Sequence, residues 1–149
     1  LKARPDREYT LLDTTEKKLK FIDAALKEVG LTAQTLHSRA EEAGRDVKHR
    51  EMYDVVTARA VASLGFLCEY CIPFVKTGGR FIPLKAAGAR QELKNSAATL
   101  KSLGAEFCKI EEFTLEGCGE RAIIIINKIS QTSIKYPRTS AQILKNPLD

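Results

Sequence analysis

The chain has 149 residues, the size of one domain with at most a short extra segment. Apolar residues make up 44% and charged residues 29%, which excludes wholesale disorder, collagen-like repeats and low-complexity polymers. Lys and Arg outnumber Asp and Glu by 24 to 19, giving a net charge of +5 that suits a polyanionic partner such as RNA without requiring one.

In chain order, Tyr9–Asp13 reads as a short buried strand. Thr15–Val29 reads as a helix with Leu19, Ile22, Leu26 and Val29 as its apolar stripe and Gly30 as its stop. Ala33–His37 resembles a second strand, followed by a helical stretch at Ala40–Gly44. Tyr53–Ala58 is a third strand and Leu64–Val75 a helix with Pro73 near its end. Gly78 and Gly79 turn the chain into a fourth strand, Arg80–Leu84. Gln91–Leu103 is again helical, with Leu93, Ala97 and Leu100 on one face. Two last strands, near Phe107–Thr114 and Ala122–Ile129, are joined by a turn at Gly117–Gly119. Strand and helix in alternation predict the α/β class with a mostly parallel sheet, closed by an antiparallel hairpin. From Ser130 onward the chain is polar, with Pro137, Pro147 and Lys135-Tyr-Pro-Arg138, and reads as a tail.

No apolar run approaches the roughly 18 residues of a membrane-spanning helix. The charged first residues carry no secretory signal, and a chain that begins at Leu1 is expected to be a processed product or a fragment. Four cysteines in such a chain point to reduced thiols and a cytoplasmic location. Cys68 and Cys71 form a C-x-x-C, but they share a helical face with Leu64, Leu67, Ile72 and Val75, so packing is the expected role. His37 and His49 show no ligand-like spacing with the cysteines, and no metal site is expected.

In open α/β sheets, ligands bind beyond the carboxyl ends of the strands. Asp13, Arg39 with Ala40 and Glu41, Arg59 and Lys85 follow apolar strands at such ends. Asp13 has two readings: a carboxylate for ribose hydroxyls, or a helix N-cap with the Asp13–Glu16 outline of a capping box. A single basic loop residue is usually only solvated; Arg39, Arg59 and Lys85 on one predicted edge argue for a binding edge. No P-loop, G-x-S-x-G or H-E-x-x-H motif is present.

Together these blocks resemble a known family. Tyr-Thr-Leu-Leu-Asp13, Lys17-Lys-Leu-Lys-Phe-Ile22, Ser-Arg-Ala-Glu41, Tyr-Asp-Val-Val-Thr-Ala-Arg-Ala-Val-Ala62 and Gly-Gly-Arg-Phe-Ile-Pro-Leu-Lys85 occur in the order of the RsmG (GidB) family. These are S-adenosylmethionine-dependent methyltransferases acting on a guanine N7 of small-subunit (16S) ribosomal RNA. The resemblance implies a class I methyltransferase fold, Rossmann-like, with strand order 3-2-1-4-5-7-6 and strand 7 antiparallel. It implies that Asp13 holds the cofactor ribose, that Ala40 and Glu41 flank the adenine, and that Arg59 lines the cofactor or target pocket. Lys85 would face the RNA or the target base, and Lys135 and Arg138 in the tail would contact RNA. No catalytic base and no metal are implied, because guanine N7 has a free lone pair and proximity suffices.

The family's first strand ends in a Gly-rich loop, whereas this chain has no glycine before Gly30. The resemblance therefore implies a C-terminal portion of such an enzyme. Residues 1–129 would be a partial methyltransferase domain, family strands two to seven, and 130–149 a basic tail. Strand edges left open would favour self-association, and the chain alone would bind the cofactor weakly. The partner implied is ribosomal RNA or the small subunit, with no membrane. A non-catalytic RNA-binding or assembly module on the same fold is the rival; a nicotinamide enzyme is disfavoured by the missing dinucleotide fingerprint.

Overall fold

A computed structural model describes residues 4–59 and 62–148, which fall into two compact units, 1–43 and 44–149. The first unit contains β1 (Thr10–Asp13), α1 (Glu16–Glu28), β2 (Gln34–His37) and a single helical turn, α2 (Ala40–Ala43). β1 and β2 are parallel, with Thr10 opposite Gln34 and Asp13 opposite His37. Parallel neighbours need a crossover, and α1 supplies it. Of the stripe expected on α1, Leu19 is buried and Ile22 and Leu26 half-buried; Val29, already beyond the last helical residue, is exposed.

The second unit contains β3 (Tyr53–Arg59), α3 (Leu64–Cys71), a 3-10 turn at Ile72–Phe74, β4 (Val75–Ala86), α4 (Ala89–Asn95), α5 (Ala97–Ser102), β5 (Ala105–Leu115), β6 (Gly119–Lys128) and α6 (Ser140–Lys145). Its sheet has the order β3-β4-β6-β5, with β3 and β4 parallel and β6 antiparallel to both neighbours. The two sheets thus reproduce the 3-2 and 4-5-7-6 parts of the expected order, including the antiparallel last strand. Among the described residues, β1 and β3 each have a partner on one edge only.

One face of the larger sheet is packed. Phe81, Ala122, Ile124 and Ile126 meet Leu64, Leu67 and Cys68 of α3, with Leu100 and Leu103 beside them. Each fully buried Leu, Ile or Phe among them contributes about 1.5–3 kcal/mol. The alternate residues form the other face, where Val55, Leu84 and Phe113 stay well exposed.

Four local expectations differ from the structure, the first being the helix expected over Leu64–Val75, which ends at Cys71, with Val75 already in β4. Gly78 and Gly79 lie inside β4, at a register shift where Tyr53 pairs with Val75 but Val55 with Arg80. A Cβ on Gly79 would lie 2.7 Å from the Asp54 carbonyl oxygen, so the bulge requires glycine. The predicted helix at Gln91–Leu103 breaks at Ser96, whose buried hydroxyl donates to the Glu92 carbonyl; Ala97 is exposed. The fourth difference is the segment after Ile129, expected as a tail. It folds back on the second unit, burying Thr132, Tyr136 and Ile143. Gly104 permits the return: its carbonyl accepts from the Ile129 and Ser130 amides, and a Cβ there would meet Ser130 at 2.6 Å.

Candidate functional site

In the first unit the chemistry gathers at the carboxyl ends of β1 and β2. Asp13 ends β1, and its side chain is 31% exposed. Its Oδ1 accepts from the Thr15 amide at 2.8 Å, and Lys18 Nζ approaches Oδ2 at 3.4 Å. The Thr15 amide bond above all, with Lys18 helping, holds this carboxyl below its ordinary range. The capping box does not form: Thr15 is the N-cap, and its side chain makes no cap bond. An ionised carboxylate has about four acceptor positions, so Asp13 retains capacity for two further donors. Asp13 lies opposite His37, the last residue of β2, so the Ser38–Glu41 turn leaves the sheet at the same edge. Ala40 opens α2, and the Glu41 carboxylate is largely buried, 3.5 Å from Arg39. His37 is exposed, with Nε2 3.0 Å from the Thr14 carbonyl oxygen. Asp13, Ala40 and Glu41 thus share one edge.

In the second unit, Arg59 ends β3 opposite Leu84, on the open face, and is exposed. Lys85 requires a correction. It continues the Phe81, Pro83 alternation onto the packed face and is only 8% exposed. Its ammonium donates to the Ala62 carbonyl at 2.7 Å and pairs with Glu92 at 2.9 Å, while Glu92 also accepts from the Leu64 amide. Lys85 holds the start of α3 and is not turned toward RNA.

Just past β4, a cavity of about 250 Å³ opens between residues 86–88 and the end of the β5–β6 hairpin. Glu112, Phe113, Thr114, Glu120 and Arg121 are among its lining. A wider opening of about 420 Å³ lies at the other end of β4, around Thr77, Arg80 and Asn127, away from the carboxyl edge.

The closing segment carries the other two residues expected to contact RNA. Lys135 is exposed, its ammonium 4.9 Å from the Tyr136 ring centre. Arg138 is engaged instead: Nε donates to Glu69 Oε1 at 2.8 Å, Nη2 to Oε2 at 2.7 Å, and Nη1 to the Asn146 carbonyl. Glu69 is 1% exposed, and their bond raises the Arg138 pKa. Arg50 donates to the carbonyls of Gly44, Thr132, Ser133 and Tyr136. Glu51 accepts from the Thr132 amide at 2.7 Å and from buried Lys128 at 2.8 Å. Burial opposes the charge on Glu51, but these donors outweigh it and hold its carboxyl low; burial likewise pushes Lys128 down. The sequence reading missed this network; its one visible signal is a polar residue at an inward position, Lys128 after Ile124 and Ile126, and Glu69 within α3.

Cys68 and Cys71 behave as packing residues, whereas Cys108 and Cys118 are exposed. Cys68 is fully buried, and burial pushes the Cys71 thiol up to about 12. His49 Nδ1 lies 2.8 Å from the Tyr53 hydroxyl. No group of three or more His, Cys, Asp or Glu among the described residues is placed to hold a metal ion.

Comparison with known proteins gives these strand ends a context. Solved structures share the fold at low identity: an rRNA methylase from Streptococcus thermophilus (TM-score 0.56, 12% identity, 83% of this chain and 74% of that one) and a SAM-dependent O-methyltransferase from Thermotoga maritima (TM-score 0.60, 13% identity, 87% and 52%). They support the class I, Rossmann-like fold. The ribosomal RNA small subunit methyltransferase G of Acetivibrio thermocellus is 45% identical over 146 residues, covering 97% of this chain and 60% of that protein. Its counterpart from Brevibacillus brevis is 41% identical, with 97% and 61% covered. The chain therefore spans about three fifths of the length of these relatives. The sequence pattern of the family described as rRNA small subunit methyltransferase G matches residues 2–144, and the chain belongs to that family.

Proposed function

We propose that this chain forms a large part of an enzyme that methylates N7 of a guanine in 16S ribosomal RNA, with S-adenosylmethionine as donor. The observation that carries the reading is the family match over residues 2–144; the strand-end geometry supports it. Asp13, ionised and oriented by the Thr15 amide, suits the two ribose hydroxyls, and Ala40 and Glu41 on the neighbouring strand end suit the adenine. Exposed Arg59 serves the cofactor or target pocket from the end of β3. S-adenosylmethionine supplies the methyl group as a sulfonium: the S–CH3 bond breaks as the N7–CH3 bond forms, and a neutral thioether leaves. Guanine N7 attacks with an in-plane lone pair and loses no proton, so no side chain has to act as base. The residues here work by positioning, an effect worth about 7–11 kcal/mol at best. Lys135 remains a candidate for RNA phosphate, whereas Lys85 and Arg138 are reassigned to holding the fold. On this reading residues 1–129 supply the catalytic portion, 130–149 brace it, and the reaction belongs to the cytoplasm.

β1 and β3 each keep an open edge among the described residues, so this chain by itself is expected to bind the cofactor weakly and turn over little. The test uses two proteins, the 149-residue chain and the same chain joined to the part of the Acetivibrio thermocellus relative that lies outside the match. Each is incubated with labelled S-adenosylmethionine and either 16S rRNA or small subunits. The joined protein should yield N7-methylguanosine by nucleoside mass spectrometry. Label on another base, or RNA binding without any transfer, would replace this reading with a different modification or with a non-catalytic RNA-binding module.

A further inference from the structure

One face of the larger sheet is packed against helices, and the register shows what the open face offers at its carboxyl edge. Arg59, Leu84, Ile123 and Glu111 form one cross-strand row on that face, and Ala86, Arg121 and Phe113 form the next. Leu115 follows Phe113 on the same side, where the β5–β6 hairpin runs past the end of β4. Glu112 and Glu120 belong to the opposite face by the same alternation. Phe113 is 41% and Leu115 46% exposed, large apolar side chains with nothing of their own sheet to cover them. Their neighbours are cationic. Arg121 donates to the Glu120 carbonyl at 2.8 Å, and neither it nor Arg59 has a carboxylate partner among the described residues. Glu111, at the outer end of the first row, is paired with Lys109. An exposed ring beside unpaired guanidinium groups offers a stacking surface for a base and a counter-charge for phosphate, the combination that holds single-stranded nucleic acid. An apolar protein surface would match the ring but strand the charges.

We propose that this end of the open face holds single-stranded ribosomal RNA flanking the target guanine: a flanking base stacks on Phe113 beside Leu115, Arg121 meets the adjoining phosphate, and the target base lies toward Arg59. The row from Arg59 to Glu111 crosses three strand spacings, about 14 Å. At roughly 3.4 Å per stacked nucleotide, that width is bridged by several nucleotides and not by one. Stacking accepts any base, since each has a π-face, so this subsite holds the strand without selecting its sequence. A base inside a duplex has both faces covered, which makes the surface one for unpaired RNA. The assignment rests on the function proposed above, and it adds the place where neighbours of the modified base are held.

The test measures binding of a short labelled single-stranded RNA with one central guanine to the full chain, by fluorescence anisotropy. The same RNA annealed to its complement should bind less well. Phe113→Ala should weaken binding of the single strand by about tenfold, the effect of losing one stacked base. Phe113→Leu, which keeps apolar area but has no ring face, should be as weak, and Phe113→Trp should bind as the unaltered chain does. The chain has no other tryptophan, so emission from Phe113→Trp should be quenched when a base stacks on it. Arg121→Ala should lower the salt slope by about one, and Arg121→Lys should restore it. RNA carrying 4-thiouridine a few positions from the guanine should photo-crosslink to the hairpin of the unaltered chain, a readout that needs no variant to fold. Leucine serving as well as phenylalanine, or crosslinks confined elsewhere, would overturn the subsite even where the joined protein methylates RNA. Ring-dependent binding without methyl transfer by the joined protein would instead count against the enzymatic reading and leave the hairpin as an RNA-binding surface. A chain that binds no RNA at all would sink both.

Discussion

The charged residues of this chain form two populations that differ in how much of their hydrogen-bonding capacity is spent. Around the segment that closes the second unit, Arg50 bonds four carbonyls, three of them in that segment, Glu51 bonds Lys128 and the Thr132 amide, and Arg138 pairs with Glu69. At the carboxyl edges, Asp13, Arg59, Glu120 and Arg121 keep acceptors or donors facing water. Charge alone does not separate the two populations; satisfaction does. A buried ion whose partners lie within the chain holds the fold, and removing one partner strands the other. A charged group left partly unspent can engage a ligand at little cost to the fold.

The largest break in this comparison should come from Lys128→Met. It leaves Glu51 without its ammonium in a mostly buried site and should cost about 3–5 kcal/mol. Scanning calorimetry would then show the melting temperature falling by about 10 °C or more. The same pair has an acid signature. The Glu51 carboxyl is held below its ordinary 4.5, so as pH falls the unfolded chain takes up that proton first. The stabilisation is therefore complete above about 4.5 and lost as pH drops through the lower, folded value. Urea titrations across the carboxylate range should show this slope, and Glu51→Gln should flatten it.

Arg138→Ala sharpens the contrast with RNA contact. With Glu69 left buried and unpaired, stability should fall by about 2–4 kcal/mol, while the salt slope of RNA binding by the folded protein stays unchanged. A reduced slope with a normal melting temperature would return Arg138 to the RNA. Asp13→Ala belongs to the other population. In the joined protein it should weaken S-adenosylmethionine binding by about 1–3 kcal/mol in calorimetry, with a smaller effect on melting. The reverse pattern would make Asp13 a helix-starting residue only. The smallest structural effect is expected from Lys135→Ala, within about 0.5 kcal/mol in stability. Its RNA salt slope should nevertheless drop by about one.

The elements themselves were largely legible. Alternation of strand and helix, the Gly117–Gly119 turn and the run from Ala122 to Ile126 placed the strands and the antiparallel ending, because periodicity records which residues face the core. The strand-end position of Asp13 was legible for a related reason: a charged residue closing a short apolar run lies at its end, whereas Ala40 and Glu41, in the turn after β2, were singled out with the help of the family resemblance. Lys85 was not legible in this way: the strand expected to end at Leu84 runs on to Ala86 and contains it. Its direction depended on which face the helices cover, and only the packing of α3 and α4 against Phe81 and Ala122 decides that.

The amino-acid sequence by itself determined the order of elements, the hairpin and the strand-end candidates, since these follow from local pattern and from residue types adjacent in the chain. Tertiary structure alone decided what the closing segment does. Arg50, Glu51 and Glu69 meet Thr132, Lys128 and Arg138 across separations of 69 to 82 residues. No local pattern encodes such meetings, because the hydrogen bonds that hold them exist only once the sheet and helices have brought both ends to the same place. The surface shared by Arg59, Arg121 and Phe113 has the same origin: β3, β6 and β5 each supply one of these residues, and they come onto one face only once the strands have paired.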